Sequence, residues 1–149
     1  MKKALYIEII TALLILLFLY ASFSKLFDLW YFKYDLSKQP FPKWLQKMLV
    51  WAVPYSEILI STCLLFKRSR KTGFYLALFL MTIFTGYTAA ILLHFFPFVP
   101  CGCGGVIRML TWPQHLVFNL FFVGIIIAGI VLQNLILNEK QPNMLNRHF

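Results

Sequence analysis

Two cysteines separated by a single glycine, Cys101 and Cys103, form the most reactive pair of side chains that this sequence offers. They lie in the segment FPFVPCGCGGVIRMLTW, in a break between two long apolar runs. Two residues of extended chain span about 7 Å, whereas the Cα atoms of a disulfide are closer, at roughly 4.4–6.8 Å. A bend at Gly102, which glycine permits, would bring the two sulfur atoms together.

A disulfide between these two cysteines would close a ring too small to act as a structural crosslink. It would remove little entropy from the unfolded chain, because that contribution grows with the length of the closed loop. Its strain would also make it easy to reduce. The spacing therefore favours a pair that exchanges electrons by cycling between dithiol and disulfide. A metal or other ligand site, and a simple glycine-cysteine turn, remain as alternatives.

The metal alternative adds His94 and His115, which flank the cysteine segment on its two sides. Two Cys and two His side chains can bind zinc or copper tetrahedrally. The spacing of these four residues differs from that of the usual closed zinc modules, and His94 would have to reach out from an apolar run. We therefore rank the metal site below the redox pair.

Glu57 is the acidic residue best placed to take part in this chemistry, since it lies inside an apolar run, in WAVPYSEILIST. A carboxylate at membrane depth is costly unless it is paired or protonated, and such residues are functional candidates by default. Lys25, at the end of the first apolar run, is its expected partner. The pair could simply join two helices. Alternatively, Glu57 could move a proton to or from a cysteine, while Lys25 or Arg108 favours the reactive thiolate.

Several other polar side chains share the predicted depth of Glu57 and the cysteines. Each alone could serve only to hydrogen-bond neighbouring helices, so their common depth is the informative feature. They are Thr85, Tyr87, His94, His115 and Asn119. Glu8, by contrast, lies near the start of the first apolar run, beside Lys2 and Lys3, and is expected to be an interfacial charge.

The composition is that of an integral membrane protein. Of the 149 residues, 60% are hydrophobic and 13% are charged, which leaves too few polar residues to cover a soluble domain. The apolar blocks match the roughly 20 residues that a helix needs to cross a bilayer. They lack the alternation of transmembrane barrel strands, so the predicted fold class is all-α. The net charge of +9 reflects basic residues beside membrane spans and does not indicate a nucleic-acid partner.

The sequence predicts a four-helix transmembrane bundle that forms a single domain. Because its apolar run is long and contains Glu8, the first span is expected to be retained and not cleaved as a signal peptide. The domain covers residues 1–149, and its predicted spans are residues 4–23, 49–66, 73–96 and 115–137.

A long outer loop is predicted between the first two spans. Its sequence, KLFDLWYFKYDLSKQPFPKWLQK, is too aromatic for a free linker. We expect it to lie at the membrane interface and to cover part of the bundle. Pro40 and Pro42 are expected to break any helix there, because proline lacks the backbone N–H that a helix interior requires.

The distribution of basic residues favours an orientation with both termini in the cytoplasm. Lys and Arg are concentrated in short loops on the cytoplasmic side of membrane proteins. Lys2 and Lys3 precede the first span, and the tight connection KRSRK joins the second and third spans. The tryptophans fall at the other ends of the spans, as in an interfacial aromatic belt. The cysteine segment is thereby predicted to face away from the cytoplasm.

Several short motifs occur in an order that resembles a known family. SKLFD ends the first span, PYSEI opens the second, FTGYTA lies in the third, and CGCGG with LTW precedes the fourth. Over residues 6–137 this pattern is similar to the methylamine-utilisation protein MauE family, within the wider DoxX-like group. The resemblance implies a four-helix protein of the bacterial inner membrane that supports periplasmic thiol-disulfide chemistry beside a thioredoxin-like partner. It assigns the cysteine pair to Cys101 and Cys103, the acidic position to Glu57 and the basic position to Lys25.

Two functional hypotheses of different classes follow. In the first, the chain is a membrane thiol-disulfide oxidoreductase whose cysteine pair exchanges electrons with a periplasmic thioredoxin-like protein. A quinone in the bundle would be its cofactor by analogy with other four-helix thiol oxidases, although no residue demands one. In the second, the chain is a non-catalytic membrane subunit or assembly factor that docks a partner protein.

Overall fold

Five helices form the part of the chain that the computed structural model describes, residues 2–96 and 110–140. They are α1 (Lys2–Phe27), α2 (Leu29–Ser37), α3 (Lys43–Leu65), α4 (Arg70–Leu92) and α5 (Trp112–Lys140). Four of them, all except α2, are long and apolar enough to cross a membrane. No strand occurs in the described ranges. The predicted all-α transmembrane fold is confirmed, and the protein is an integral membrane protein.

The four long helices form a bundle in which each helix packs against two others. Helix α1 packs against α3 and α5, and α4 packs against the same two helices. The short helix α2 packs against α3 and, less extensively, α1. Helices α1 and α4 both end at the same end of the bundle, next to α2, and we call it the α2 end. The opposite end carries the KRSRK connection, and we call it the turn end.

The side-chain core fills the half of the bundle nearer the turn end. Its buried members from α1 recur at the spacing of one helix face, as Ile7, Leu14 and Phe18 do. The outward faces are equally apolar, because lipid surrounds them in place of water. The buried core consists of Ile7, Leu14, Phe18, Ile60, Leu64, Phe74, Ala77, Met81, Phe122 and Ile126.

Two glycines let the helices approach closely within this packed half. A Cβ atom on Gly73 would lie 2.9 Å from the backbone nitrogen of Leu64, so α3 and α4 are in near backbone contact beside the turn. A Cβ atom on Gly129 would lie 2.5 Å from the ring of Phe74, which is fully buried. Small residues at such crossings are typical of membrane helices, whose association depends on close packing.

Ion pairs add to the packing at the turn end. The buried guanidinium of Arg70 donates to both carboxylate oxygens of Glu8, over 2.9 and 3.2 Å, and so joins α4 to α1. Lys3 and Glu139 form a second, exposed pair that joins α1 to α5. Glu8 was predicted from the sequence to be an interfacial charge beside Lys2 and Lys3, and its pairing with Arg70 was not predicted.

Helix α3 begins at Lys43, earlier than the predicted start of the second span at residue 49. The helix starts directly after Pro42, which is extended and whose carbonyl accepts hydrogen bonds from the amides of Leu45 and Gln46. The first turns carry Lys and Gln as well as Trp44, so hydropathy alone understates the length of this helix. Helices α1 and α5 also extend beyond the predicted spans at both of their ends.

Helix α4 ends at Leu92 and does not continue to Phe96 as predicted. His94 adopts a left-handed conformation, with φ of 58°. Its amide donates to the carbonyl of Ile91, and the amide of Phe95 donates to the carbonyl of Ala90. This pair of hydrogen bonds is the Schellman arrangement that commonly closes a helix. Histidine is one of the residues that adopt the left-handed region more readily than most.

The predicted first outer loop contains the short helix α2, which the sequence did not predict. Phe32 and Leu36 of α2 are buried against Val50 of α3. Pro40 and Pro42 lie between α2 and α3, as expected of helix-breaking residues. The segment therefore lies against the bundle through buried apolar contacts.

Gly73→Ala is expected to lower the thermal stability of the purified protein in detergent. The added methyl group would meet backbone atoms of α3, which cannot move aside as a flexible side chain can. Overpacking of this kind costs about 1–3 kcal/mol. Gly86→Ala on the same helix is the matched control, because a Cβ atom there would meet no other helix within 4 Å. Equal melting temperatures for the two variants would contradict the close approach of α3 and α4.

Candidate functional site

Lys25 and Glu57 form an ion pair inside the bundle near its α2 end. The Nζ atom of Lys25 donates to Oε1 of Glu57 over 2.8 Å. The Glu57 side chain is only 2% exposed and that of Lys25 is 11% exposed. The contact predicted from the sequence is therefore present. The second carboxylate oxygen, Oε2, is buried and makes no hydrogen bond to any residue within 2–96 or 110–140.

Backbone contacts hold both members of the pair in place. Lys25 Nζ also donates to the carbonyl of Ala21, over 3.1 Å. One turn from the pair, the hydroxyl of the fully buried Ser22 donates to the carbonyl of Pro54 over 3.0 Å and so joins α1 to α3. The Ser61 hydroxyl donates to the Glu57 carbonyl. Because the Ser22–Pro54 contact fixes α1 against α3, the carboxylate and the ammonium group meet at one depth.

The pair lines a cavity of about 350 Å³ that lies between the packed core and the α2 end. Phe18 and Met81, which belong to the core, form part of its wall. Ligand sites in proteins commonly have volumes of about 300–1,000 Å³ and mostly apolar walls. The aromatic side chains that line the cavity are Phe18, Phe32, Phe41, Phe84, Tyr87 and Phe118.

The segment between α1 and α3 covers this cavity. Phe32, Leu36, Gln39 and Phe41 all contribute to the lining. The hydroxyl of Tyr87, on α4, donates to Oε1 of the buried Gln39, and the rings of Tyr87 and Phe41 lie 5.3 Å apart. These contacts tie the covering segment to α4. The expectation that the first outer loop covers part of the bundle is thus correct.

Polar side chains from α4 and α5 face the same cavity. Thr88, His115 and Asn119 are buried and contribute to its lining. Of the residues predicted to share one depth, Tyr87, His115 and Asn119 therefore join Glu57 at the cavity. Thr85 does not, since it is absent from the lining and its hydroxyl donates to the carbonyl of Met81 in its own helix.

The metal alternative receives no support from the described residues. Within 2–96 and 110–140 there is no group of three or more His, Cys, Asp or Glu side chains that could hold a metal ion. His94 lies beyond the end of α4, whereas His115 is buried against the cavity. The full predicted set also requires Cys101 and Cys103, so it stays a prediction.

Cys101, Cys103 and Arg108 lie outside the described residues, and their roles stay predictions. The described residues on either side of this segment contact residues that line the cavity. The ring of Phe96 lies 6.1 Å from that of Tyr87. The ring of Trp112 lies 6.2 Å from that of His115. The chain that carries the cysteine pair therefore leaves and re-enters the bundle beside the cavity.

Sequence reasoning missed two polar residues of the site, Gln39 and Thr88. Gln39 lies among prolines in KQPFP, where only the folded segment shows that its amide points toward α4. Thr88 follows Tyr87 directly and lies one helical turn beyond Thr85. A helical projection of α4 that placed Phe84 and Thr88 on one face could have identified it.

The extent of the matching region identifies the family. The family model for the methylamine utilisation protein MauE matches residues 3–132. The chain belongs to the MauE family. The match includes all but the first residue of α1, the whole of α2, α3 and α4, most of α5, and all the residues that line the cavity. No curated protein and no solved structure matches this MauE-family chain.

Removal of one member of the buried pair is expected to destabilise the protein more than removal of both. Lys25→Met would leave the Glu57 carboxylate buried without its cation, at a cost of about 3–5 kcal/mol. In the double variant Lys25→Met, Glu57→Leu most of this loss should be recovered, because apolar residues replace both charges. Unfolding in mixed micelles measures the free energies of the three proteins.

The exposed ion pair at the turn end supplies the control for the Lys25 and Glu57 variants. Lys3 and Glu139 are both at least half exposed, and such pairs contribute about 0–1 kcal/mol. Glu139→Gln should therefore change the unfolding free energy little. If Lys25→Met proved as harmless as Glu139→Gln, the buried pair would not hold α1 against α3.

Proposed function

We propose that this MauE-family protein is a membrane thiol-disulfide oxidoreductase that acts through Cys101 and Cys103. The observation that supports this proposal best is the cavity lined by the buried Lys25–Glu57 pair, in which one carboxylate oxygen lacks a hydrogen bond to any described residue. Phe96 and Trp112, on the two sides of the cysteine segment, contact residues that line this cavity. Buried ionisable side chains that line a cavity within a membrane bundle are candidates for proton transfer. Thiol-disulfide exchange requires such groups, because the thiolate is the attacking form.

The reaction is an exchange with a thioredoxin-like protein. A thiolate of one protein attacks the disulfide of the other, a mixed disulfide forms, and the second thiol of the attacking protein resolves it. One dithiol is thereby oxidised to a disulfide while the other disulfide is reduced to a dithiol. Two electrons and two protons move between the proteins, so no further reactant is needed for this step.

Glu57 and Lys25 would serve this exchange as proton carrier and cation. Oε2 of Glu57 can accept a proton that a cysteine thiol releases, and can return it when the thiol re-forms. Lys25 holds the carboxylate through Oε1, so the proton-accepting oxygen keeps its direction. A cation near a cysteine also favours the thiolate.

We further propose that both termini are cytoplasmic and that the α2 end faces the periplasm of a bacterial inner membrane. Lys67, Arg68 and Lys71 cluster at the turn end, as expected of a cytoplasmic surface. The α2 end carries Trp30 and Trp44, which are largely exposed, as expected of rings in the interfacial layer. Disulfides form and persist in the periplasm and are rare in the cytosol.

The competing role, a non-catalytic subunit or assembly factor, is favoured by one observation. Helix α2 presents exposed aromatic rings, and those of Trp30 and Tyr34 stack with centroids 5.7 Å apart. Aromatic side chains of this kind are enriched at protein interfaces. A partner docked on α2 would not require either cysteine.

Single cysteine variants are expected to trap the partner. The third cysteine of the chain, Cys63 on α3, is first removed as Cys63→Ser. In that background, whichever of Cys101→Ser and Cys103→Ser keeps the attacking cysteine should accumulate an intermolecular disulfide with a periplasmic protein, because the resolving thiol is missing. Non-reducing electrophoresis followed by mass spectrometry would detect and identify the adduct. The double variant Cys101→Ser, Cys103→Ser should form none and should lose all exchange activity.

The same double variant distinguishes the two roles. A non-catalytic subunit would retain its partner and its cellular effect without the cysteines, and that outcome would reject the redox function. The redox function would also be rejected if neither single variant formed an adduct and the pair never titrated as a couple.

The proposed orientation predicts which residues a membrane-impermeant maleimide can reach. In a background without cysteines, the variant Ser37→Cys should react in intact cells, because position 37 is exposed at the α2 end. The variant Arg68→Cys, at an exposed position of the turn end, should react only after the membrane is permeabilised. The reverse pattern would invert the topology and place the cysteine segment in the cytosol.

A further inference from the structure

We propose that the cavity is the binding site of a lipid-soluble quinone, and that this quinone takes the electrons and protons released when Cys101 and Cys103 form a disulfide. The inference rests on the proposed thiol-disulfide function and names the second substrate of the same site. The size of the cavity, its access from lipid, its polar groups and the electron balance of the reaction support this assignment.

The cavity has the size and lining that an aromatic ring with an apolar tail requires. Its volume is about 350 Å³, whereas an apolar protein cavity of about 150 Å³ already accommodates benzene. Aromatic side chains from α1, α2, α4 and α5 form much of its wall. Ile83, which also lines the cavity, is 48% exposed on the surface of α4. The cavity is partly open, and we place the entrance of a membrane-borne ligand at this lipid-facing side chain.

The polar groups of the cavity suit a ring that carries oxygen atoms. Oε2 of Glu57 is a buried acceptor without a hydrogen bond to any described residue, and an unsatisfied buried acceptor carries an energetic penalty. A hydroxyl of the reduced ligand would donate to it. Asn119, a buried residue of α5 that lines the cavity, carries an amide that can both donate and accept hydrogen bonds. It can therefore bind either a quinone carbonyl or a quinol hydroxyl.

An acyl chain of a lipid would fit this cavity less well. It would fill the apolar part but would leave Glu57 Oε2 unsatisfied, and Gln39, Thr88 and Asn119 would gain no polar contact from it. A water-soluble ligand would match the polar groups but would bury its own surface against six aromatic rings. A ligand with an apolar tail and a ring bearing oxygen satisfies both parts of the wall.

The electron balance leads to the same class of ligand. When a dithiol becomes a disulfide, two electrons and two protons leave the sulfur atoms. A quinone accepts two electrons and two protons to become a quinol, so the two half-reactions balance without a further reactant. The thioredoxin-like partner would then supply the next pair of electrons by reducing the new disulfide. Glu57 would pass protons between the cysteine thiols and the quinone oxygen.

Binding can be tested without reference to the cysteines. The full-length protein in detergent is titrated with decylubiquinone, and quenching of tryptophan fluorescence reports binding, since Trp112 contacts His115 at the cavity wall. Ala21→Leu, which fills part of the cavity, should weaken binding by about tenfold or more, equivalent to about 1.4 kcal/mol. Ala12→Leu, the same change on an exposed position of α1, should leave the affinity unchanged. Decylbenzene, which has the same tail and no oxygen, should not compete.

The polar contact is tested by Glu57→Gln, which keeps the shape of the side chain and a hydrogen-bond acceptor for Lys25. It should bind the quinone but should slow its reduction, because an amide cannot carry the proton. The double variant Cys101→Ser, Cys103→Ser should bind decylubiquinone with unchanged affinity and should form no quinol. The wild-type dithiol should form one quinol for each disulfide.

The outcomes separate this inference from the proposed function. If Ala21→Leu and Ala12→Leu bound the quinone equally well, the cavity would not be its site, whatever the cysteines do. If the cysteine pair trapped a partner and titrated as a couple but produced no quinol, the function would stand and the quinone role would fall. If the protein bound the quinone through the cavity and the cysteines never titrated, the proposed function would fall and the binding site would stand.

Discussion

The ion pair between Lys25 and Glu57 is the constraint around which the outer half of this bundle is arranged. A carboxylate and an ammonium group at membrane depth are tolerated only when they meet, because each alone is expensive to remove from water. Their contact fixes the depth of α1 relative to α3. Ser22 and Pro54 repeat the link one turn away. The cavity forms beside this fixed pair. Glu57 contributes to its lining, and one Glu57 carboxylate oxygen has no hydrogen bond from the described residues.

The two ends of the bundle are built on different principles. At the turn end, close approach at Gly73 and Gly129, together with the Arg70–Glu8 pair, brings the helices into full contact. At the α2 end, a covering segment and aromatic rings surround empty volume instead. Ionisable side chains that line the cavity, among them Lys25, Glu57 and His115, are at this second end. The bundle can contain a cavity near its α2 end because the packing near the turn end holds the four helices together.

Much of the fold could be predicted because lipid imposes strong constraints on sequence. Apolar blocks of spanning length predicted the four long helices, and the scarcity of ionisable residues at depth predicted the partnership of Lys25 with Glu57. The helix ends were less predictable: α3 begins with a polar turn, and α4 closes through a left-handed His94 where glycine would be the usual signal. The link between Tyr87 and Gln39 could not be predicted, because it depends on how the segment between α2 and α3 folds back. Arg70 was missed as the partner of Glu8 because several neighbouring basic residues were equally plausible by sequence.

The uneven distribution of void volume along one set of helices has a mechanical consequence. Proteins yield to hydrostatic pressure in proportion to the empty space that a rearrangement removes. In the described part of this chain, the cavity next to Glu57 is empty volume that pressure could reduce, whereas the packed core at the turn end contains little empty volume. Pressure is therefore expected to act first on the α2 end, where the four helices enclose this space. The ion pair and the Ser22–Pro54 link would then be the contacts that keep α1 and α3 together as the volume shrinks.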